Sequence, residues 1–257
     1  MFKAIITLIT FSMLLNAGTI KGTVSYAGSN KKPKTLKMDS DPVCGNSHSA
    51  PPAKEDFILD ENNNFKNVIV WLNFGDRVET GTVGNVVGNK DWQKSNEPNE
   101  PVLIDQIGCV YTPHVNVVTT GQKVLIKNSD KTLHNVNSKS KINESFNSAQ
   151  PAGVPDIEKT FNSPEDPFYI KCDVHPWMKA WVMVSDHPYF AVTDANGNFE
   201  INNVPDGTYE VMFWQEKLSN LPKKKYIQVN HAKTVNVSDN VAICDYTFPK
   251  PEKKPKK

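Results

Sequence analysis

Beyond residue 17 the chain never sustains an apolar repeat of helical period for three turns, and that narrows its fold class more than any other feature. What repeats instead has period two. Ile20, Gly22, Val24 and Tyr26 fall on alternate positions, and Phe65, Val68, Val70 and Leu72 mark a second apolar strand region. From Val102 the runs crowd together: 107–111, 115–118, 123–127 after a turn at Gly121, 168–170, and 180–184. Farther on, Phe199 and Ile201 alternate with polar residues, as do Tyr209, Val211 and Phe213. Asn196-Gly197 and Pro205-Asp206-Gly207 punctuate these strands and predict hairpins, the first through a tight primed turn. The fold class is all-β, built as sandwiches or a barrel.

Residues 1–17 read as a secretory signal, with Lys3 ahead of a mostly apolar run from Ile5 to Leu15 and a small Ala17 at its end. That run is shorter than the roughly 20 residues a membrane-spanning helix needs, so no stable membrane insertion is expected and a periplasmic location is. Formal net charge is +1. Five Lys and one Glu lie in the tail from Pro249, and Lys3 lies in the signal, which leaves 23 basic against 27 acidic residues in the body. Such a body has no basic face for nucleic acid. The tail, 249–257, reads as a solvated, disordered basic end.

The segment Cys172-Asp173-Val174-His175-Pro176-Trp177-Met178 places a thiol, an imidazole and a thioether within seven residues. A second imidazole, His134, lies upstream in Leu133-His134-Asn135-Val136. Two His, one Cys and a weak axial Met form the ligand set of a mononuclear copper centre that cycles between Cu(I) and Cu(II). Zinc is the next metal to weigh, but it takes a harder fourth ligand than a thioether. A blander reading makes Cys172 half of a disulfide, His175 a surface residue and Met178 core. With Cys172 assigned to metal, Cys44, Cys109 and Cys244 remain. The preferred bridge joins Cys44 to Cys109, each beside a glycine, and Cys244 is expected to be a buried thiol, though other pairings stay open. His114 is a candidate to support the ligands from behind; His48 has a weaker claim near Cys44; His187 and His231 read as surface residues.

On these residues the stretch from about Ile107 to Val184 resembles the cupredoxin family, and the short Cys-x2-His-x2-Met loop with Pro after the His looks like that of the amicyanins. Tyr111-Thr112-Pro113 is similar to the aromatic-x-Pro of an early cupredoxin strand. The resemblance implies copper on His134, Cys172, His175 and Met178, and an electron exit at the edge of His175 with Pro176 and Trp177 as an apolar docking rim. Amine oxidation is not assigned on a seven-residue loop.

The flanks carry a second resemblance. Asp194-Ala195-Asn196-Gly197-Asn198-Phe199 and Pro205-Asp206-Gly207-Thr208-Tyr209 look like the closing strands of a carboxypeptidase regulatory-like, transthyretin-like β-sandwich. Gly22-Thr23-Val24 and Asn67-Val68-Ile69-Val70 look like its opening. The expected organisation is therefore a signal (1–17), the first part of this sandwich (18–80), a linker (81–101), a Greek-key cupredoxin domain (102–186), the second part of the sandwich (187–248) and the tail. A single elaborated cupredoxin with β extensions is the competing organisation. The expected function is electron carriage between redox proteins of cytochrome or dehydrogenase type, with no enzymatic activity. Copper binding or delivery, or a structural module with a stabilising copper site, are the alternatives.

Overall fold

The computed structural model describes residues 17–30, 32–74, 100–238 and 240–255. The signal residues 1–16 and most of the expected linker lie outside the described residues. Among the described residues, seventeen strands and one single-turn helix follow in chain order. The first two, β1 (Ala17–Tyr26) and β2 (Ile69–Asn73), flank the helix α1 (Pro42–Gly45). A central group follows: β3 (Val102–Ile107), β4 (Val110–Thr112), β5 (Val115–Thr119), β6 (Lys123–Asn128), β7 (His134–Ser138), β8 (Asn147–Gln150), β9 (Ile157–Thr160), β10 (Glu165–Lys171) and β11 (Lys179–Ser185). The last group is β12 (Phe190–Val192), β13 (Asn198–Pro205), β14 (Gly207–Trp214), β15 (Ala232–Val237), β16 (Val241–Ile243) and β17 (Tyr246–Phe248).

The pairing shows one sandwich inserted into another. Among the described residues, strands β1 and β2 pair only with strands that follow residue 189, in the sheets β13-β1-β16 (with β17 also on β1) and β12-β2-β14-β15. Between β2 and β12 the chain builds the inner sandwich from the sheets β5-β11-β10-β7-β8 and β4-β3-β6-β9. Each sandwich encloses its own core. The outer one holds Ile20, Val24, Phe65, Leu72, Phe199, Ile201, Tyr209, Val211 and Phe213, the inward positions of the period-two pattern. The inner one holds Ile104, Val124, Ile126, Val136, Ile170, Val182 and Val184.

A third apolar layer joins the two: Ile69 and Trp214 from the outer sheet meet Val115, Val117, Trp181 and Met183 from the inner one. This layer explains the near-continuous apolar run of β11. Ala180, Val182 and Val184 face the inner core, while Trp181 and Met183 face the other sandwich, so both faces of the strand are covered.

Three local expectations fail. Asn196-Gly197 does not make a two-residue primed hairpin, whose first central residue needs positive φ; of the pair only the second, Gly197, is positive, at 75°. The turn instead closes with Gly197 N–H donating to Asp194 C=O, and it carries the chain from β12 in one sheet to β13 in the other. Likewise Pro205-Asp206-Gly207 links β13 to β14 across the sandwich, so neither turn makes a paired hairpin. The run 107–111 is not one strand: Gly108 and Cys109 both have positive φ, 64° and 55°, and form the tight turn between β3 and β4. The basic tail is also ordered through Pro255, because Glu252 C=O accepts from Ile227 N–H, and Lys225 C=O from Lys254 N–H, making a short ribbon.

Candidate metal centre

The seven-residue loop starts as β10 ends and stops as β11 begins, and those two strands are antiparallel neighbours. Its own hydrogen bonds close it. Cys172 N–H donates to Met178 C=O at 3.2 Å, Met178 N–H to His175 C=O at 2.9 Å, and His175 N–H to Cys172 Sγ at 3.3 Å. Pro176, with no N–H to satisfy, suits the exposed crest of such a turn.

From β7, which also borders β10, come His134 and Asn135. Asn135 Oδ1 accepts from Asp173 N–H at 2.6 Å and Val174 N–H at 3.4 Å and lies 3.4 Å from Cys172 Sγ, so it fastens the loop to the neighbouring strand. Its amide in turn donates to Asn147 Oδ1 at 2.6 Å and to Asp173 Oδ2.

The two imidazoles are oriented by carboxylates behind them. His134 Nε2 stands 2.9 Å from Asp130 Oδ2, and His175 Nε2 stands 3.0 Å from Asp41 Oδ2. An ionised carboxylate only accepts, so each Nε2 carries the proton and each Nδ1 turns inward. Asp130 is held by Gly108 N–H and Cys109 N–H at 2.7 and 2.8 Å. Asp41 caps α1, accepting from Val43 N–H at 2.7 Å.

The inward Nδ1 atoms of His134 and His175 lie 2.9 Å apart, and Cys172 Sγ lies 3.7 Å from Nδ1 of His175. All three donor atoms fall within 4.8 Å of one another, and their residues are 2% exposed or less. For a metal about 2.0 Å from nitrogen and about 2.3 Å from sulfur, a trigonal set would place its nitrogens about 3.5 Å apart and nitrogen and sulfur about 3.8 Å apart. The sulfur–nitrogen distance matches that spacing, whereas the two nitrogens stand about 0.6 Å closer than it, at hydrogen-bonding distance, and would have to part to admit an ion. Met178 is buried in the same core cluster as Cys172.

The local charges suit a cation. Burial pushes the Cys172 thiol up, but hydrogen bonding with the His134 ring and with loop backbone N–H groups more than offsets it, bringing its pKa down to about 7. Burial lowers that of His134, yet the Asp130 carboxylate and the Cys172 sulfur raise it to about 9. The Asp41 carboxyl is held below its ordinary value, first by its hydrogen bond with His175.

Of the sequence-predicted site residues, His134, Cys172 and His175 converge, and Met178 lies in their core. The expected exposed edge of His175 is not there. A cap made of residues 32–56 closes it: Leu36 and Met38 sit in the inner core, Asp41 meets Nε2, and the Cys44–Cys109 disulfide anchors the segment. Cys44 Sγ is itself 3.6 Å from Nε2 of His175. His48 helps hold the cap, its Nε2 2.6 Å from Gly108 C=O.

His114 stands apart from the cluster, with Nε2 2.7 Å from Glu216 Oε2 and Nδ1 3.1 Å from Lys179 C=O. Cys244 is a fully buried free thiol in the outer core. His187 and His231, read as surface residues, are not. His187 is buried beside Phe74 and Tyr189, and His231 is partly buried against Tyr246 and Phe248. His187 lies on chain that crosses from β11 of the inner sandwich to β12 of the outer one, whereas His231 leads into β15 beside β14 of the same sheet.

The carboxylates were missed, although the sequence carries signals for them. Asp41-Pro42 is an N-cap followed by a proline at the first helical position, and Asp130 precedes His134 by four residues.

Residues 168–237 match the family model described as polysaccharide lyase family 4, domain II. The matched stretch runs from β10 across the boundary between the sandwiches to the end of β15. No curated protein sequence matches the chain. Among solved structures, the chain is similar to the copper-containing nitrite reductase of Thermus scotoductus SA-01, at 23% identity over 40% of this chain and 24% of that one, TM-score 0.31. It therefore spans about a quarter of that enzyme. It is also similar to a purple cupredoxin of Nitrosopumilus maritimus, at 25% identity over 33% of this chain and 99% of that one, TM-score 0.29. The amicyanin of Paracoccus versutus matches at 22% identity over 35% of this chain and 86% of that one, TM-score 0.30.

Proposed function

We propose that this chain is an exported mononuclear copper protein that carries single electrons between redox proteins and catalyses no reaction of its own. Convergence of two inward Nδ1 atoms on a buried thiol is the observation that carries this reading. With both Nε2 protons pointing at carboxylates, the two facing Nδ1 atoms share a single proton between them, and a metal cation can take that proton's place. A buried thiol at a pKa of about 7 is poised to bind as thiolate. Met178 supplies a soft thioether from the same loop. Copper held there would provide a one-electron couple in a ligand set that serves both oxidation states.

The rigid setting suits electron transfer. Asn135, Asp130, Asp41 and the disulfide each fix a ligand or the loop that bears it, so the donor atoms stay in place when charge changes. Four protein ligands in a closed pocket leave no position for substrate, which is the basis for reading it as a carrier. The Cys44–Cys109 disulfide is in keeping with an oxidising, exported setting. No helix among the described residues is long and apolar enough to cross a membrane. In this reading the outer sandwich is a regulatory-like module that packs on β11 and holds the strand carrying the loop.

The test is substitution at two ligands. Cys172→Ser should abolish the intense thiolate-to-copper absorption, whereas Met178→Leu should keep it and shift the reduction potential. Colour retained in Cys172→Ser would refute the assignment. Rapid loss of copper to an acceptor chelator during redox cycling would favour delivery over electron carriage.

A further inference from the structure

We infer that Trp177 is the site's electron port and that cap lysines around it form the docking surface for an acidic redox protein. This rests on the copper reading above.

Both imidazoles are covered: His134 is fully buried, and the outer edge of His175 is closed by Asp41 and the disulfide. Among the described residues, the aromatic ring that touches His175 and also reaches the surface is Trp177. The ring centroids are 5.0 Å apart, and the indole is partly exposed. Its Nε1–H donates to Cys109 C=O at 3.0 Å, which fixes the ring against the disulfide turn.

Trp177 and the exposed Pro176 line an open cleft of about 760 Å³ whose opposite wall is the cap, bearing Lys34, Lys37 and Lys54. These three lysines are exposed, and none takes part in an ion pair among the described residues. The body of the chain is net acidic, so this concentration of positive charge around an aromatic floor is a local reversal of sign. Such a reversal orients a negatively charged partner and raises its encounter rate at low salt. An acidic surface presenting its own redox group would therefore meet Trp177 first. One electron would leave through the indole to the acceptor, with no bond made or broken and no proton moved.

A second basic group serves as an internal control. Lys223, Lys224 and Lys225 are also exposed, and their ribbon borders a cleft shared with Asp166 at the start of β10. The copper loop follows the other end of that strand, roughly 20 Å away at about 3.3 Å per residue.

The experiment uses two small oxidants of opposite charge on the reduced copper protein: the hexacyanoferrate(III) trianion and the tris(phenanthroline)cobalt(III) trication. In each, the metal goes from +3 to +2 as it takes the electron. At low salt, K34E/K37E/K54E should slow oxidation by the anion roughly tenfold or more and speed oxidation by the cation. K223E/K224E/K225E should change either rate less than about twofold. Trp177→Leu should slow both probes while the thiolate band stays intact, and Trp177→Phe should restore most of the rate.

A readout independent of copper is nuclear magnetic resonance with hexacyanochromate(III). It should broaden the Trp177 indole N–H in the parent protein and spare it in K34E/K37E/K54E. Equal effects from the two triple variants, or Trp177→Leu rates matching the parent, would overturn the inference. Loss of the band in the parent protein would instead overturn the copper reading. The indole broadening would still report on the cleft.

Discussion

Removing the Cys44–Cys109 disulfide by Cys44→Ala/Cys109→Ala measures what holds the cap over His175. The bridge joins residues 65 apart, and its loop contains β2 of the outer sandwich as well as the second half of the cap, from residue 44 to 56. In the chain-entropy picture, opening a loop of that size costs about 4 kcal/mol. For a protein of this size that is a fall of about 8–16 °C in melting temperature. The cap would not simply fall away. Leu36 and Met38 are 7% and 4% exposed, and burying each contributes about 1.5–3 kcal/mol, comparable with the bridge. The double variant should therefore fold, melt by calorimetry about 8–16 °C below the parent, and exchange the Cap-region amides of Gly45 and Asn46 at least tenfold faster. These two amides donate to Asp41 and Pro42 carbonyls in α1, so they report the cap directly. A melting temperature within 2 °C of the parent, with exchange unchanged, would refute the view that the bridge anchors the cap.

Three other perturbations test separate parts of the account. Burial pushes His187 down to a pKa of about 4, against which Asp186 acts weakly, so the unfolded chain binds the extra proton first as pH falls. Stability from this group is thus full above about pH 6.5 and declines towards pH 4 by about 3 kcal/mol; urea midpoints should show that slope, and His187→Gln should flatten it. Glu216→Ala strands the partly buried His114 and Lys179 that it joins and should cost about 3 kcal/mol in urea unfolding; a loss under 0.5 kcal/mol would mean the cluster contributes nothing to holding the sandwiches together. Gly197→Ala should cost roughly 2–4 kcal/mol, because the new Cβ would lie 2.6 Å from Asn64 Cβ in addition to a φ of 75°. Gly153→Ala, at φ 76° in open space, should cost only about 1–2 kcal/mol, so equal losses would show that the clash is absent.

What the sequence made legible was whatever is local. Period-two alternation located the strands of both cores, and the seven-residue loop placed Cys172, His175 and Met178 without any knowledge of the fold. The Cys44–Cys109 pairing was a preference, resting on a glycine beside each thiol with other pairings open, and it is the bridge that forms. What stayed hidden depends on distant parts of the chain. Asp41 meets a histidine 134 residues away, and nothing in its neighbourhood says so except a helix cap. The two turns after β12 and β13 look like hairpin turns because turn chemistry is the same whether the chain returns to its own sheet or crosses to the opposite one. His187 carries no sign of burial because its layer is supplied by Phe74 and Tyr189 from separate strands' ends. The covering of β11 on both faces was visible as a continuous apolar run, but which sandwich would cover it was not.

The most direct test of the account is a Cu(II) titration of the purified protein followed by visible absorption and electron paramagnetic resonance, then reduction with ascorbate and reoxidation. The account predicts an intense thiolate-to-copper band that saturates at one copper per chain and bleaches and returns reversibly. Copper bound without that band, or no saturable binding at all, would contradict a centre built on Cys172 with His134 and His175.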